Sequence, residues 1–269
     1  MTKFETYIRN VRKKGKQYFT LAEIKSHFGA SDNSIRCGLY KLRKRGDIVS
    51  PARGLYIIVP PENLSMGCIP AEELVPILMN HWGIPYYSGL LTASLYHGAS
   101  HQKPQVFQVL VNQQKPPIVC GTVKIHFIYK KSLENLPISQ LTVKTGYLKI
   151  ASPELVALDL LTYPKHSGGM NHTATVLAEL VESLDVAKLI LLAQQTNTEY
   201  HLNRIGYIVE NIEIFDEQNQ CRTINALKAF IDKNLNKSYV PLSSDMPTKG
   251  YSRCERWRII ENATVESDL

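Results

Sequence analysis

The side chains best equipped for chemistry in this 269-residue sequence lie in one run near its N-terminus, Ser31-Asp32-Asn33-Ser34-Ile35-Arg36-Cys37-Gly38-Leu39-Tyr40-Lys41-Leu42-Arg43-Lys44-Arg45. Ile35, Leu39 and Leu42 fall at i, i+4 and i+7, which puts them on one face of a helix. At about 100° per residue, Asn33, Arg36, Cys37, Tyr40, Lys41 and Lys44 then point the other way. An asparagine amide pairs bidentately with adenine in the major groove of DNA, and an arginine guanidinium with guanine. The lysines and Arg43 suit phosphates, which hold register without reading sequence. Ser31 and Ser34 stand at the start of the helix, where free backbone N–H groups also receive phosphate. The expected DNA contacts are therefore Ser31, Asn33, Ser34, Arg36, Tyr40, Lys41, Arg43 and Lys44, joined by Arg53 from the hairpin described below.

Other reactive residues do not assemble into a catalytic set. His97 and His101 are spaced to share a helical face, but the run is His-Gly-Ala-Ser-His. A zinc protease needs a glutamate beside the first histidine. Ser167-Gly168-Gly169-Met170 is glycine-rich, without the Lys-Ser/Thr ending of a phosphate loop or a preceding strand; a connection between two helices explains it equally well. A GxSxG nucleophile elbow is missing, as is the Gly-Ser motif with paired aspartates of a nucleotidyltransferase. Cys37 lies among arginines that would lower its pKa, although a small residue against a groove is the plainer reading. The five cysteines, at 37, 68, 120, 221 and 254, form no CxxC. That pattern fits reduced thiols of a cytoplasmic protein rather than a zinc ribbon. We therefore expect no enzyme activity, no metal and no cofactor.

The candidate residues need a scaffold, and the flanking sequence reads as one. Phe4, Tyr7, Ile8 and Val11 form one helical face, ended by Gly15. Thr20 with Glu23 three residues on is a capping box, opening a short helix that runs to Phe28 and stops at Gly29. The third helix follows from about Asp32 to Lys44, closed by Gly46. Two short helices across a tight glycine turn are the helix-turn-helix signature. Then Asp47–Val59 is apolar, turns at Pro51-Ala52-Arg53-Gly54, and is apolar again, which is a β-hairpin wing with Arg53 at its tip.

Charge agrees with this placement. Residues 1–59 carry thirteen Lys or Arg against four acids, +9, whereas the whole chain is +7 and residues 60–269 sum to −2. A cationic module on a near-neutral body is the balance expected of a polyanion binder; a merely solvated basic face has the same charge. Winged helices that bind proteins tend to have neutral or acidic third helices, whereas this one has five basic residues and one acid.

Behind Pro60-Pro61 the chain reads as a mixed body. We expect helices over 71–82 and 85–97, strands over 106–111, 123–129 and 141–150, and a helix opened by Ser152-Pro153-Glu154. Helices near 171–184, 186–194, 199–211 and 224–235 follow, with closing strands near 239–242 and 257–260. The expected fold is α+β: an N-terminal winged helix-turn-helix over 1–62, then a mixed α/β domain over 70–269 with a small sheet and a C-terminal helical cluster. No stretch approaches the roughly 18 apolar residues of a membrane span, and the N-terminus lacks an apolar signal core.

Several runs together resemble the AbiEi antitoxin family. They are Pro85-Tyr86-Tyr87-Ser88-Gly89-Leu90-Leu91-Thr92-Ala93, His97-Gly98-Ala99, Gln105–Val109, Ala151–Leu160, Tyr163-Pro164, Ser167-Gly168-Gly169, and Arg256-Trp257-Arg258-Ile259 with Asn262. The resemblance implies an antitoxin of a bicistronic type IV toxin–antitoxin system linked to abortive phage infection. It implies an N-terminal winged helix that represses the operon at inverted repeats in its promoter. It also implies a C-terminal domain that counteracts a nucleotidyltransferase toxin without a stable complex. The family supplies no catalytic residues to carry over. Two other readings stay open on the residues alone: a single-component transcription factor with a ligand-sensing C-terminal domain, and a nuclease steered by its winged helix.

Overall fold

A computed structural model describes residues 2–29, 31–99, 104–214, 216–233 and 238–266. Among them are ten α-helices and three sheets, an α+β arrangement. In chain order the N-terminal elements are α1 (Lys3–Lys13), β1 (Tyr18–Thr20), α2 (Leu21–Phe28), α3 (Asp32–Lys44), β2 (Ile48–Ala52) and β3 (Leu55–Ile58). They are followed by α4 (Ala71–Trp82), β4 (Tyr86–Ser88), α5 (Leu90–Tyr96), β5 (Phe107–Val111), β6 (Ile118–Cys120), β7 (Val123–Tyr129), β8 (Ile138–Val143) and β9 (Gly146–Ala151). The rest comprises α6 (Pro153–Thr162), α7 (Met170–Leu180), α8 (Val186–Gln195), α9 (Tyr200–Asn211), α10 (Glu217–Lys233), β10 (Val240–Pro241), β11 (Arg253–Cys254) and β12 (Ile259–Ile260). Among the described residues, no helix is long and apolar enough to cross a membrane.

The chain divides into two compact units. One comprises Met1–Ser88, Gln105–Glu134 and Gln140–Ile150; the other Gly89–Pro104, Asn135–Ser139 and Ala151–Leu269. In the first unit, β1, β3 and β2 form an antiparallel sheet in that order. Tyr7, Ile8, Phe19, Ile24, Ile35, Leu39, Leu42, Ile48 and Ile58 make one buried cluster behind the three helices. The larger sheet is mixed and six-stranded, in the order β6-β7-β5-β4-β9-β8. Trp82 of α4 packs edge-on against Phe127 of β7, their ring centroids 5.5 Å apart.

Two expected elements of the body take another form. The helix expected over 85–97 is a strand followed by a helix. Tyr86, Tyr87 and Ser88 pair antiparallel with Val111, Leu110 and Val109, and helix begins only after Gly89. The aromatic pair favours a half-buried pleated surface, so tertiary pairing overrides the small-residue pattern. The strand expected over 141–150 is a pair, β8 and β9, broken at Lys144-Thr145, with Gly146 at φ 133°.

In the second unit α6 is buried along its whole Glu154–Leu161 stretch rather than on one side. A helix buried all round has no polar stripe to give it a period. Ser152 caps it, its hydroxyl accepting from Leu155 N–H at 3.4 Å. The tail is tied down by two residues. Trp257 is fully buried and donates its indole N–H to Glu210 at 2.5 Å. Asn262 bonds the backbone of Ser243, Met246 and Pro247.

Candidate nucleic-acid interface

The proposed contact helix is held from below by apolar side chains and from its start by a cap. Ile35, Leu39 and Leu42 of α3 are 0%, 3% and 2% exposed. Burying side chains of this kind stabilises the head by about 1.5–3 kcal/mol each. Ser31 is the N-cap, its hydroxyl accepting from Ser34 N–H at 3.4 Å. The preceding helix carries the full capping box: Thr20 N–H donates to the Glu23 carboxylate at 2.6 Å, and Glu23 N–H donates to the Thr20 hydroxyl at 3.2 Å. Gly29 then turns the chain in the left-handed region, φ 55°, and Lys25 of α2 bridges to Asp32 of α3 at 2.7 Å.

Every residue expected to touch DNA stands at the surface. Ser31, Asn33, Ser34, Arg36, Tyr40, Lys41, Arg43, Lys44 and Arg53 are all exposed, and Tyr40, at 65%, is an aromatic ring left in water. Arg53 occupies the tip of the β2–β3 hairpin, followed by Gly54 at φ 78°. Its backbone carbonyl bonds the ring of His81 on α4 at 3.1 Å, which ties the hairpin tip to that helix.

The flanks of α3 hold features that periodicity does not reveal. On one flank Gly38 lies against Phe4 of α1. On the same flank Arg45 donates to Glu5 at 2.7 Å and to Asp47 at 2.5 Å. The hydrogen bond to Glu5, then that to Asp47, keeps the Arg45 guanidinium even more firmly protonated than usual. One of the five cations counted with this helix is thus its C-cap, just past Lys44, and is matched by two carboxylates. On the other flank the Arg43 guanidinium acts on Cys120 of β6. A glycine in mid-helix costs about 1 kcal/mol against alanine and so signals a close approach; the distant partners Glu5 and Cys120 leave no local mark.

Positive charge also extends beyond the N-terminal segment. Residues 105–150 carry Lys115, Lys124, Lys130, Lys131, Lys144 and Lys149 against the single acid Glu134. The sum of −2 for the remainder conceals this, because acids elsewhere in the chain offset it. Lys124 and Lys149 lie in β7 and β9 of the larger sheet, and Lys130 and Lys144 directly follow β7 and β8.

The discounted catalytic candidates have structural partners. His97 bonds the Ala151 carbonyl at 2.7 Å through Nε2; His101 lies outside the described residues. Ser167 is fully buried and donates to the carbonyls of Leu160 and Tyr163 at 2.8 and 2.9 Å, so its hydroxyl is taken up in closing α6. Gly168 and Gly169, at φ 78° and 93°, turn the chain into α7. Among the described residues, no three His, Cys, Asp or Glu side chains gather as a metal site.

Comparison with known proteins places the body of the chain. Residues 87–211 match the AbiEi antitoxin C-terminal domain, which supports an AbiEi family antitoxin. No curated protein matches significantly. Among solved structures, the crystal structure of RV2827C protein from Mycobacterium tuberculosis is similar, with a TM-score of 0.65 at 14% identity, covering 94% of this chain and 89% of that one. At that identity the likeness is one of fold.

Proposed function

From the AbiEi antitoxin domain at 87–211, we propose that this chain is an autoregulating antitoxin. Residues 1–62 serve as a winged helix-turn-helix that reads inverted repeats in the chain's own promoter and represses the operon. Residues 70–269 counteract a nucleotidyltransferase toxin without holding it in a stable complex. One observation carries the DNA-binding half: α3 buries its apolar face completely and leaves Asn33, Arg36, Tyr40, Lys41 and Lys44 exposed together. Asn33 and Arg36 read base edges. Lys41, Arg43, Lys44, Arg53 and the Ser31/Ser34 helix start hold phosphates. The cationic sheet segment adds to the polyanion attraction of the same unit.

Mobility shifts on the upstream region test repression, and co-expression with the neighbouring gene tests antitoxicity. Binding to that region no tighter than to random DNA, or growth arrest unrelieved by this chain, would remove the corresponding half.

One observation favours a ligand-sensing second unit instead. A cavity of about 280 Å³ there is lined by Gln194, Glu199, Tyr200, Asn203, Phe230 and Arg258, among others. A metabolite that copurifies with the protein and is displaced by Asn203→Ala would support that reading.

A further inference from the structure

Two thiols of the first unit are brought face to face by a segment that no strand includes. Residues 66–68 run antiparallel to the β6–β7 turn. Thr122 donates from its backbone N–H to the Met66 carbonyl at 2.9 Å and from its hydroxyl at 3.4 Å. Gly67 meets Gly121 so closely that a β-carbon on Gly121 would lie 2.9 Å from Gly67 Cα. One step along the same alignment, Cys68 stands opposite Cys120, and their thiols are hydrogen-bonded. Both are free thiols; Cys68 is 0% exposed and Cys120 7%.

We propose that Cys68 and Cys120 are a reversible, peroxide-responsive dithiol pair whose disulfide staples segment 66–68 to the β6–β7 turn. The two sulfurs have different roles. The hydrogen bond from Cys68, and then the Arg43 guanidinium, hold the Cys120 thiol below its usual range against the effect of burial. The same hydrogen bond, with burial, raises Cys68. Cys120 is thus the attacking thiolate and Cys68 the resolving thiol. The Cys120 sulfur attacks hydrogen peroxide, the O–O bond breaks, and hydroxide leaves as water after taking a proton. Cys120 is then a sulfenic acid. The Cys68 sulfur attacks it, the S–S bond forms, the S–O bond breaks, and the Cys68 proton departs with the hydroxide as a second water. The two thiols lose two electrons and the peroxide gains them. A dithiol reductant reverses the step by exchange.

The full chain treated with hydrogen peroxide, then alkylated and digested, tests the pair. The expected product is a cross-linked Cys68–Cys120 peptide, lighter by two hydrogens and released by dithiothreitol. The oxidised protein should melt several degrees higher, because the bond closes a long loop. Cys68→Ser should leave Cys120 as a sulfenic acid trapped by dimedone, and Cys120→Ser should leave Cys68 an ordinary thiol. Cys68 and Cys120 both alkylated after peroxide, oxidation confined to Cys37, Cys221 or Cys254, or no dimedone adduct in Cys68→Ser would overturn the proposal. These readouts concern sulfur alone and do not depend on DNA binding.

Discussion

Gly38 of α3 lies so close to Phe4 of α1 that a β-carbon there would fall 2.4 Å from Cε2 and Cζ of the phenyl ring. The ring is held in turn, with Phe28 of α2 at 4.8 Å between centroids. The glycine therefore sets how nearly α1 approaches α3. Gly38→Val should cost roughly 1–3 kcal/mol by overpacking, read as a lower midpoint in denaturant unfolding followed by far-UV circular dichroism. A wild-type midpoint would mean that α1 moves aside freely.

Gly206 and Trp257 repeat the relationship in the second unit. A β-carbon on Gly206 would lie 2.1 Å from Cζ3 of the buried indole. Gly206→Ala should destabilise by about 1–3 kcal/mol and shift tryptophan emission as the ring is displaced. Below the melting point the variant should still bind operator DNA like wild type. A parallel loss of DNA affinity would contradict a reading head confined to residues 1–62.

Arg45 and Lys44 are neighbours with different expected roles. Arg45 is engaged by Glu5 and Asp47, whereas Lys44 forms no salt bridge among the described residues. Lys44→Ala should weaken binding to all duplexes alike and lower the salt slope by about one. Arg45→Ala should change DNA affinity less and melting temperature more. The reverse ranking, from titrations at several salt concentrations, would shift the phosphate contact to Arg45.

Acid should loosen the N-terminal elements. The Glu5 carboxyl is held below the usual 4.5 by the Thr2 backbone N–H and then Arg45, and Asp32 below 3.8 by Lys25. Burial opposes the shift of Glu23, but Lys16 and Thr20 outweigh it and lower that group as well. A depressed carboxylate stabilises the native state above its unfolded pKa and loses that effect as pH falls through the folded value. Melting temperature should therefore be flat from neutrality to about pH 5 and drop below about pH 4.5. Glu73 of α4 runs the other way, because burial raises it. A Glu5→Gln/Glu23→Gln double variant should flatten the acid limb, and an equally steep fall in that variant would place the responsible groups elsewhere.

Local chemistry made much of this molecule legible. The Thr20/Glu23 box, the Ser31 cap and the spacing of Ile35, Leu39 and Leu42 each declare themselves within one or two turns of chain, and α2 and α3 occupy the expected residues. What was illegible depends on partners distant in sequence. Tyr86 and Tyr87 read as part of a helix until β5 pairs with them. The buried stretch of α6 has no stripe to count. Arg45 looks like a free cation until Glu5, forty positions earlier, comes beside it. Cys68 and Cys120 look unrelated until Gly67, which precedes the first, and Gly121, which follows the second, meet.

The most direct test of the proposed DNA reading is competitive binding of the purified chain to its upstream duplex and to a shuffled duplex at about 0.15 M salt. A preference of at least about a thousandfold for the upstream duplex is expected. Arg36→Ala should remove about 1–3 kcal/mol of that preference while leaving the shuffled duplex nearly unaffected. Equal affinity of wild type for both duplexes would contradict base reading by α3.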